Sequence, residues 1–521
     1  MSLLNLWTVG LAPRVLGVLF AAVLASAVYL RSRGRVHKVY PPGPPRRWIV
    51  GNLLDIPSSV DLTRFKLWKD TYGDVVYLNA LGYSILVLNT ARAINDLLAK
   101  RGENYSHRPI FVMSGELMGL NKCMALVDYN ARYKRLRTLT HRALNPDAIK
   151  KYYPIQEELT LSYMQSLVSK PDEFLVNLRL TLGRVILAVT YGMTVETADS
   201  EYIAEAEDTL NTIGKATLPG AYLVDLIPAL KFIPPWLPFT SFLREAEAGR
   251  RQIYDFVTRP FEYVKRHMDN SPPPSFVADL LAERDLYHDM EDLEDIEDGI
   301  KWVAGTMYGG GMESSFATVS TFYLLMARHP DKQKRAQQEI DSLLEGRRLP
   351  KISDRESLPY VRALIQEVMR WHVVVPLGIA RRTVSDDHYK VGYYIPADTV
   401  VVPNIWALAH ADDEEDHTAF LPERFLRTDL PTDPSEYVFG FGRRICPGRY
   451  LADNSLFLLI SNTLALFDIL PPSGASEQSA LSSVVTPEKF RCDIRPRSEA
   501  CVELIEEALA GDPLRTGLLP A

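Results

Sequence analysis

Cysteine is scarce in this chain. Four of 521 residues are Cys, at 123, 446, 492 and 501, with no close paired spacing. That excludes a disulfide scaffold and a multi-cysteine metal cluster, and it points to a reducing compartment. A surplus of positive charge is also missing. The net charge of −7 argues against nucleic acid as a partner. Internal repeats and long low-complexity linkers are absent too, which excludes a solenoid or a string of small modules.

What charge there is lies unevenly. The first 40 residues hold Arg14, Arg31, Arg33, Arg35 and Lys38 and no acid, so the remainder carries −12. Val15 to Leu30 contains no charged residue. A spanning helix needs about 20 apolar residues, and extension back to Leu6 supplies them. The run flows into RSRGR rather than a small-residue cleavage site, so it reads as an anchor, not a signal peptide. The basic flank then belongs on the cytosolic side. Residues 1–38 are thus expected to be a membrane anchor, residues 39–48 (VYPPGPPRRW) a stiff proline-rich hinge, and residues 49–521 one domain. Residues 74–89 alternate around a Gly turn and predict a β-hairpin. Helical patterns dominate from 90 to 370, and a further strand pair is expected near 380–402. The expected class is mainly α with a minor β part. One core of this size exceeds the usual limit, which a large buried cofactor would explain.

Two stretches carry the chemistry. The helical run from Ile296 to Arg328 holds Gly309, Gly310 and Gly311 at its middle, each costing about 1 kcal/mol against alanine. Either the helix breaks there, or something flat must approach the backbone. Glu313, Ser314 and Ser315 follow at once. Residues 439–448 read FGFGRRICPG, ahead of the apolar helix Arg449 to Phe467. Cys446 sits at a helix start beside Arg443 and Arg444, where free N–H groups, the helix dipole and cations favour a thiolate. It is then either a nucleophile, which needs a His base, or a metal-bound thiolate.

The pattern Phe439-x-x-Gly442-x-Arg444-x-Cys446-x-Gly448 resembles the cysteine loop of the cytochrome P450 family at all five defined positions. Glu367 and Arg370 resemble its ExxR helix, Pro422-Glu423-Arg424-Phe425 its PERF element, and Gly310-Gly311-Met312-Glu313-Ser314-Ser315 its oxygen-activation pattern, with serine at 314 for the usual threonine. The resemblance implies a P450 fold and haem b. Cys446 would be the axial iron ligand, with Phe439 against the ring. Arg444, Arg381, Arg137 and Tyr133 would hold propionates, Tyr133 and Lys134 departing from the usual Trp and Arg. Gly310 and Gly311 would face the haem. Glu313 and Ser314 would relay protons to dioxygen. Glu367, Arg370 and Arg424 would form a buried ion triad. Electrons would come from NADPH through a reductase docked on the basic stretch 130–142.

The implied activity is insertion of one oxygen atom from O2 into a lipophilic small molecule, at the endoplasmic reticulum membrane, with a likeness to fungal secondary-metabolism members such as terpenoid enzymes. A reductase-independent haem-thiolate isomerase or dehydratase, and a non-catalytic membrane-tethered haem or lipid binder, are the alternatives. Both are disfavoured by the Glu313–Ser314 pair. Segments 105–125 and 219–240 are expected to touch substrate.

Overall fold

The computed structural model describes residues 38–521 apart from 57–60, 195–200, 219, 238, 271–272, 284–292, 391, 412–415, 429–430, 473–489, 511–518 and 521. The proposed anchor lies outside the described residues. Eleven longer helices are described, and they form most of the domain. They are α1 (Leu62–Tyr72), α2 (Ala131–Leu144), α3 (Tyr153–Ser169), α4 (Phe174–Tyr191), α5 (Glu201–Thr217), α6 (Ser241–Arg266), α7 (Leu293–Arg328), α8 (Pro330–Leu344), α9 (Pro359–Trp371), α10 (Arg449–Leu466) and α11 (Glu499–Ala510). Short strands accompany them: β1 (Val75–Ala80), β2 (Tyr83–Leu88), β3 (Met193–Thr194), β4 (Arg381–Arg382), β5 (Asp387–Tyr389), β6 (Tyr393–Ile395), β7 (Val400–Pro403), β8 (Phe467–Leu470), β9 (Asp493–Pro496) and β10 (Leu519–Pro520). The mainly helical expectation holds.

Strands β1 and β2 form the expected hairpin, Val75 opposite Leu88 and Ala80 opposite Tyr83. It joins β7 and β4 in a sheet ordered β1-β2-β7-β4. The region near 380–402 holds four short strands rather than one pair. Here β4 and β7 enter the main sheet while β5 and β6 make a separate hairpin. The hinge is not a free spacer. Tyr77 N donates to Pro42 O at 2.8 Å and Tyr394 N to Val39 O at 2.7 Å. Gly43 is required there, because a Cβ would lie 2.0 Å from Tyr77 O. Its prolines do stop helix, and the extended chain they enforce then finds partners along the sheet.

Helix α7 is the axis of the fold. It packs against α2, α4, α6, α9 and α10, and its buried face, including Val319, Phe322 and Tyr323, sits at the centre of one core cluster. The three glycines do not break it: the helix runs unbroken for 36 residues. Packing against these five neighbours outweighs a propensity loss of about 3 kcal/mol. Helix α4, apolar enough to cross a membrane, is instead mostly buried in this core.

Candidate active site

The cysteine loop is shaped by backbone. Gly440 and Gly442 have φ of +79° and +54°, which glycine alone adopts without strain. A Cβ on Gly442 would also come within 2.5 Å of Leu98 O. Cys446 N closes the loop by donating to Phe439 O at 2.8 Å, and Phe439 packs on the core beside it. Helix α10 begins three residues after the cysteine. The backbone N–H groups of Gly448 and Arg449 reach the sulfur, and the charges of Arg137 and Arg449 favour its thiolate. Burial outweighs both and pushes the Cys446 thiol up. This corrects the expectation of a lowered value, and the cations that help most are Arg137 and Arg449. Desolvation of the anion dominates until a cation meets the sulfur directly, which is what a bound metal supplies. Cys492 has no such donors, and burial pushes its thiol up to about 12.

On α7 the glycines point three ways. A Cβ on Gly309 would meet Leu210 of α5 at 3.1 Å, and one on Gly311 would meet Ile186 of α4 at 2.8 Å. Those two let helices approach. Gly311 therefore does not face a ring, contrary to expectation. Gly310 is exposed, with nothing within 4 Å of an added Cβ, and the same holds for Gly448 behind Cys446. Ser314 Oγ donates to Gly310 O at 2.9 Å. Glu313 does not turn to Ser314. Its Oε1 lies 2.5 Å from Arg179 Nη1.

Four cations gather near the loop. Arg444 donates to Ser106 O, Met124 O and Val127 O at 2.9, 3.2 and 2.7 Å, and lies over the Tyr133 ring at 3.7 Å. Arg381 Nη2 donates to Phe441 O at 2.7 Å. Arg137 donates to Ile445 O at 2.7 Å, and Tyr133 Oη to Arg443 O at 2.6 Å. Arg108, which sequence reading missed, donates to Ala125 O, Ile379 O and Ala380 O at 2.7, 2.8 and 2.7 Å. Among the described residues, none of these four guanidinium groups pairs with a carboxylate. Desolvation and the neighbouring arginines push Arg108 well down and Arg381 to about 10. Desolvation lowers Arg444 as well. Arg381 Nη1 is buried without any partner.

Unpaired buried cations in mutual repulsion are costly. They call for anions, and the two carboxylates of a haem would answer them. The residues fit that group: a sulfur with N–H donors, open space at Gly310 and Gly448, and waiting arginines. The tripeptide His107-Arg108-Pro109 was the signal for Arg108, but it falls in a segment read as substrate-contacting.

This fit yields a test with opposite signs. Arg381→Gln removes a repelled cation, so the apoprotein's urea midpoint stays unchanged or rises. Haem retention falls about tenfold, equal to about 1.4 kcal/mol. Haem-to-protein ratios after transfer to apomyoglobin measure the second effect.

The basic stretch of α2 is largely spoken for. Arg132 pairs with Asp295 and Asp298 of α7 at 3.0 and 2.8 Å, Arg135 with Asp295 at 3.0 Å, and Arg142 with Glu283 at 3.5 Å. The expected triad is assembled. Glu367 takes both Arg370 and Arg424.

A helical domain with a backbone-shaped cysteine loop, open space at Gly310 on its central helix and buried arginines that lack carboxylate partners fits a haem-thiolate oxygenase. The pattern of the family "Cytochrome P450" matches residues 41–491. The chain is 38% identical to the cytochrome P450 monooxygenase COX2 of Coprinopsis cinerea, covering 94% of this chain and 95% of that one. It is 36% identical to monooxygenase claR of Ampulloclitocybe clavipes (95% and 92%) and 35% identical to monooxygenase ple1 of Rhodocybe pseudopiperita (93% and 94%). The chain belongs to the cytochrome P450 family and is a monooxygenase, an oxidoreductase whose cofactor is haem and whose reactants are O2 and a small molecule.

Proposed function

We propose that this enzyme is anchored in the endoplasmic reticulum membrane and inserts one oxygen atom into a lipophilic small molecule by hydroxylation or epoxidation. Cys446 would ligate the haem iron, and Arg108, Arg381, Arg444 and Arg137 would hold its propionates. When bound, the haem supplies the oxygen-activating chemistry, and the thiolate pushes electron density onto the iron. The chain's own residues position substrate, limit water and move protons.

The observation that carries the lipophilic, membrane-bound reading is a set of exposed large apolar side chains on linked segments. Trp236 is 80% exposed, Phe239 95%, Phe232 78% and Trp48 97%. Tyr83 at the tip of the β1–β2 hairpin donates to Leu226 O at 3.3 Å, and Gly51 pairs with Ala80. The hinge end, the hairpin tip and segment 223–239 therefore form one surface, next to where the N-terminal segment joins. Monomeric soluble proteins seldom leave so many large apolar and Trp side chains together in water. A bilayer covers them, and substrate dissolved in lipid arrives beside them. The same segment reaches the expected substrate loop. Asp225 accepts from Val112 N and Met113 N at 2.7 and 2.9 Å, and Lys231 pairs with Glu116 at 2.5 Å.

Electrons would come from NADPH through a reductase. Lys134, which has no ion pair among the described residues, and Arg443 offer positive charge beside the cysteine loop. A secondary-metabolism role, with a terpenoid scaffold as one candidate, is part of this proposal; the relatives are fungal monooxygenases. Co-expression with an NADPH–P450 reductase and product profiling on lipophilic scaffolds tests the reading. NADPH-independent turnover would replace it with the isomerase alternative. Glu313→Ala retains haem but loses product and releases more peroxide; an unchanged product yield removes Glu313 from the relay.

A further inference from the structure

Thr306 stands on α7 one turn before Gly310. Residues four apart share a helix face, so Thr306 belongs to the open side that Gly310 marks. Its hydroxyl has one proton and two lone pairs. The proton goes back into the helix, with Thr306 Oγ1 donating to Trp302 O at 2.6 Å. Cys123 Sγ lies 3.3 Å from the same oxygen. Because the threonine proton is already committed, the thiol donates and the oxygen accepts. One lone pair is left, and among the described residues no further group reaches it. Cys123 ties this oxygen to the rest of the site. It precedes Met124 and Ala125, whose carbonyls accept from Arg444 and Arg108 at 3.2 and 2.7 Å. Cys123 and Thr306 are both half-buried, as are their apolar neighbours Leu126 and Met307. Between the arginine cradle and the open side of α7, the two segments thus present apolar side chains around one neutral acceptor.

We propose that Thr306 is a specificity-determining residue whose remaining lone pair takes the hydroxyl of a lipophilic alcohol, so that the substrate class is a hydrocarbon skeleton already bearing a hydroxyl group. This rests on the reading of the site as one that oxidises a lipophilic small molecule. A hydroxyl can donate to Thr306 Oγ1, whereas a ketone, an ether or a bare hydrocarbon cannot. A lipophile without that proton displaces water from the acceptor and leaves it unpaired, which costs binding. Sites built to hydrogen-bond a substrate hydroxyl reject analogues that lack it for this reason. Cys123 fixes the direction of the remaining lone pair by occupying the other one. A substrate held in this way comes from a reaction that hydrates or hydroxylates a hydrocarbon skeleton, and this enzyme adds the next oxygen.

The haem-loaded full chain is titrated with 1-adamantanol and with 1-methoxyadamantane, which share a rigid cage and differ in the proton on oxygen. Two readouts are taken. One is the change in haem absorbance. The other is the rate at which iodoacetamide alkylates Cys123, followed by peptide mass spectrometry. The wild type binds the alcohol about tenfold more tightly than the ether, equal to about 1.4 kcal/mol, and the alcohol protects Cys123 at correspondingly lower concentration. Thr306→Val, which keeps the branched shape, brings the two probes to near-equal affinity. Thr306→Ser and Cys123→Ala keep the preference by absorbance, because each retains the hydroxyl oxygen at 306. Equal affinities in the wild type, or a preference that survives Thr306→Val, overturn the anchor and leave the lipophilic site standing. A preference lost in Cys123→Ala assigns the contact to sulfur and overturns it too. A haem-loaded wild type that binds neither probe by either readout overturns both the anchor and the lipophilic reading. Should Thr306→Val hold no haem, Thr306→Ala decides in its place.

Discussion

Cys446→Ser gives a folded protein without the thiolate-type carbon monoxide difference band and with product formation below detection. The loop does not depend on the sulfur for its shape. It is set by positive φ at Gly440 and Gly442 and by Cys446 N donating to Phe439 O at 2.8 Å, all of which a serine keeps. The hydroxyl can also accept from the same backbone N–H groups that now face the sulfur. The fold therefore loses about 1 kcal/mol or less. The arginine cradle is untouched, so haem still has partners for its carboxylates. What disappears is the only group in the loop able to bind iron as an anion and push charge onto it. A serine variant with the wild-type band, or with turnover within a few-fold of wild type, would refute Cys446 as the ligand. Unfolding midpoint and haem content on the same preparation separate loss of ligand from loss of fold.

The parts of this site legible in the sequence were those whose chemistry lies in neighbouring residues. The cysteine loop carries its glycines, arginines and sulfur within ten positions, and Glu367 and Arg370 sit three apart on one helix face. Other parts were not, because the fold brings together residues far apart. Arg108 meets Ile379 across 271 positions, and Arg179 meets Glu313 across 134. No local pattern holds those pairs. The glycine triplet shows a different limit. Successive residues of a helix point about 100° apart, so three consecutive glycines cannot share a purpose. One opens onto space, and two admit neighbouring helices. Likewise, proline content alone showed that residues 40–45 are extended, but not that a sheet edge would accept them. The departures at Tyr133 and Lys134 also resolve only in three dimensions. Tyr133 supports Arg444 through its ring face and the loop through its hydroxyl, a job that does not require the usual tryptophan.

Glu367→Gln costs about 3–5 kcal/mol, the range for breaking a buried ion pair on one side, and leaves little haem-loaded protein at 37 °C. Glu367 is fully buried. Its Oε1 accepts from Arg370 Nη2 at 2.9 Å and from Leu421 N at 2.8 Å. Its Oε2 accepts from Arg370 Nε at 2.7 Å and has Arg424 Nε at 3.0 Å. The amide is nearly isosteric, so no cavity forms. It still removes a negative charge shared by two arginines that are themselves almost fully buried. Domains of ordinary stability hold about 5–15 kcal/mol in all, so the loss is a large share. Removing all three charges, as Glu367→Gln with Arg370→Met and Arg424→Met, does not rescue it, although swapping a buried ion group for apolar residues can be neutral elsewhere. Arg370 also donates to Ala409 O, His417 O and Ala419 O at 3.0, 3.1 and 3.1 Å. Methionine leaves those carbonyls unsatisfied, in the segment that leads to the cysteine loop. Urea midpoints of the single and triple variants, with haem content beside them, decide between a triad that stabilises by charge alone and one that also ties down backbone. A triple variant as stable as wild type would show the first.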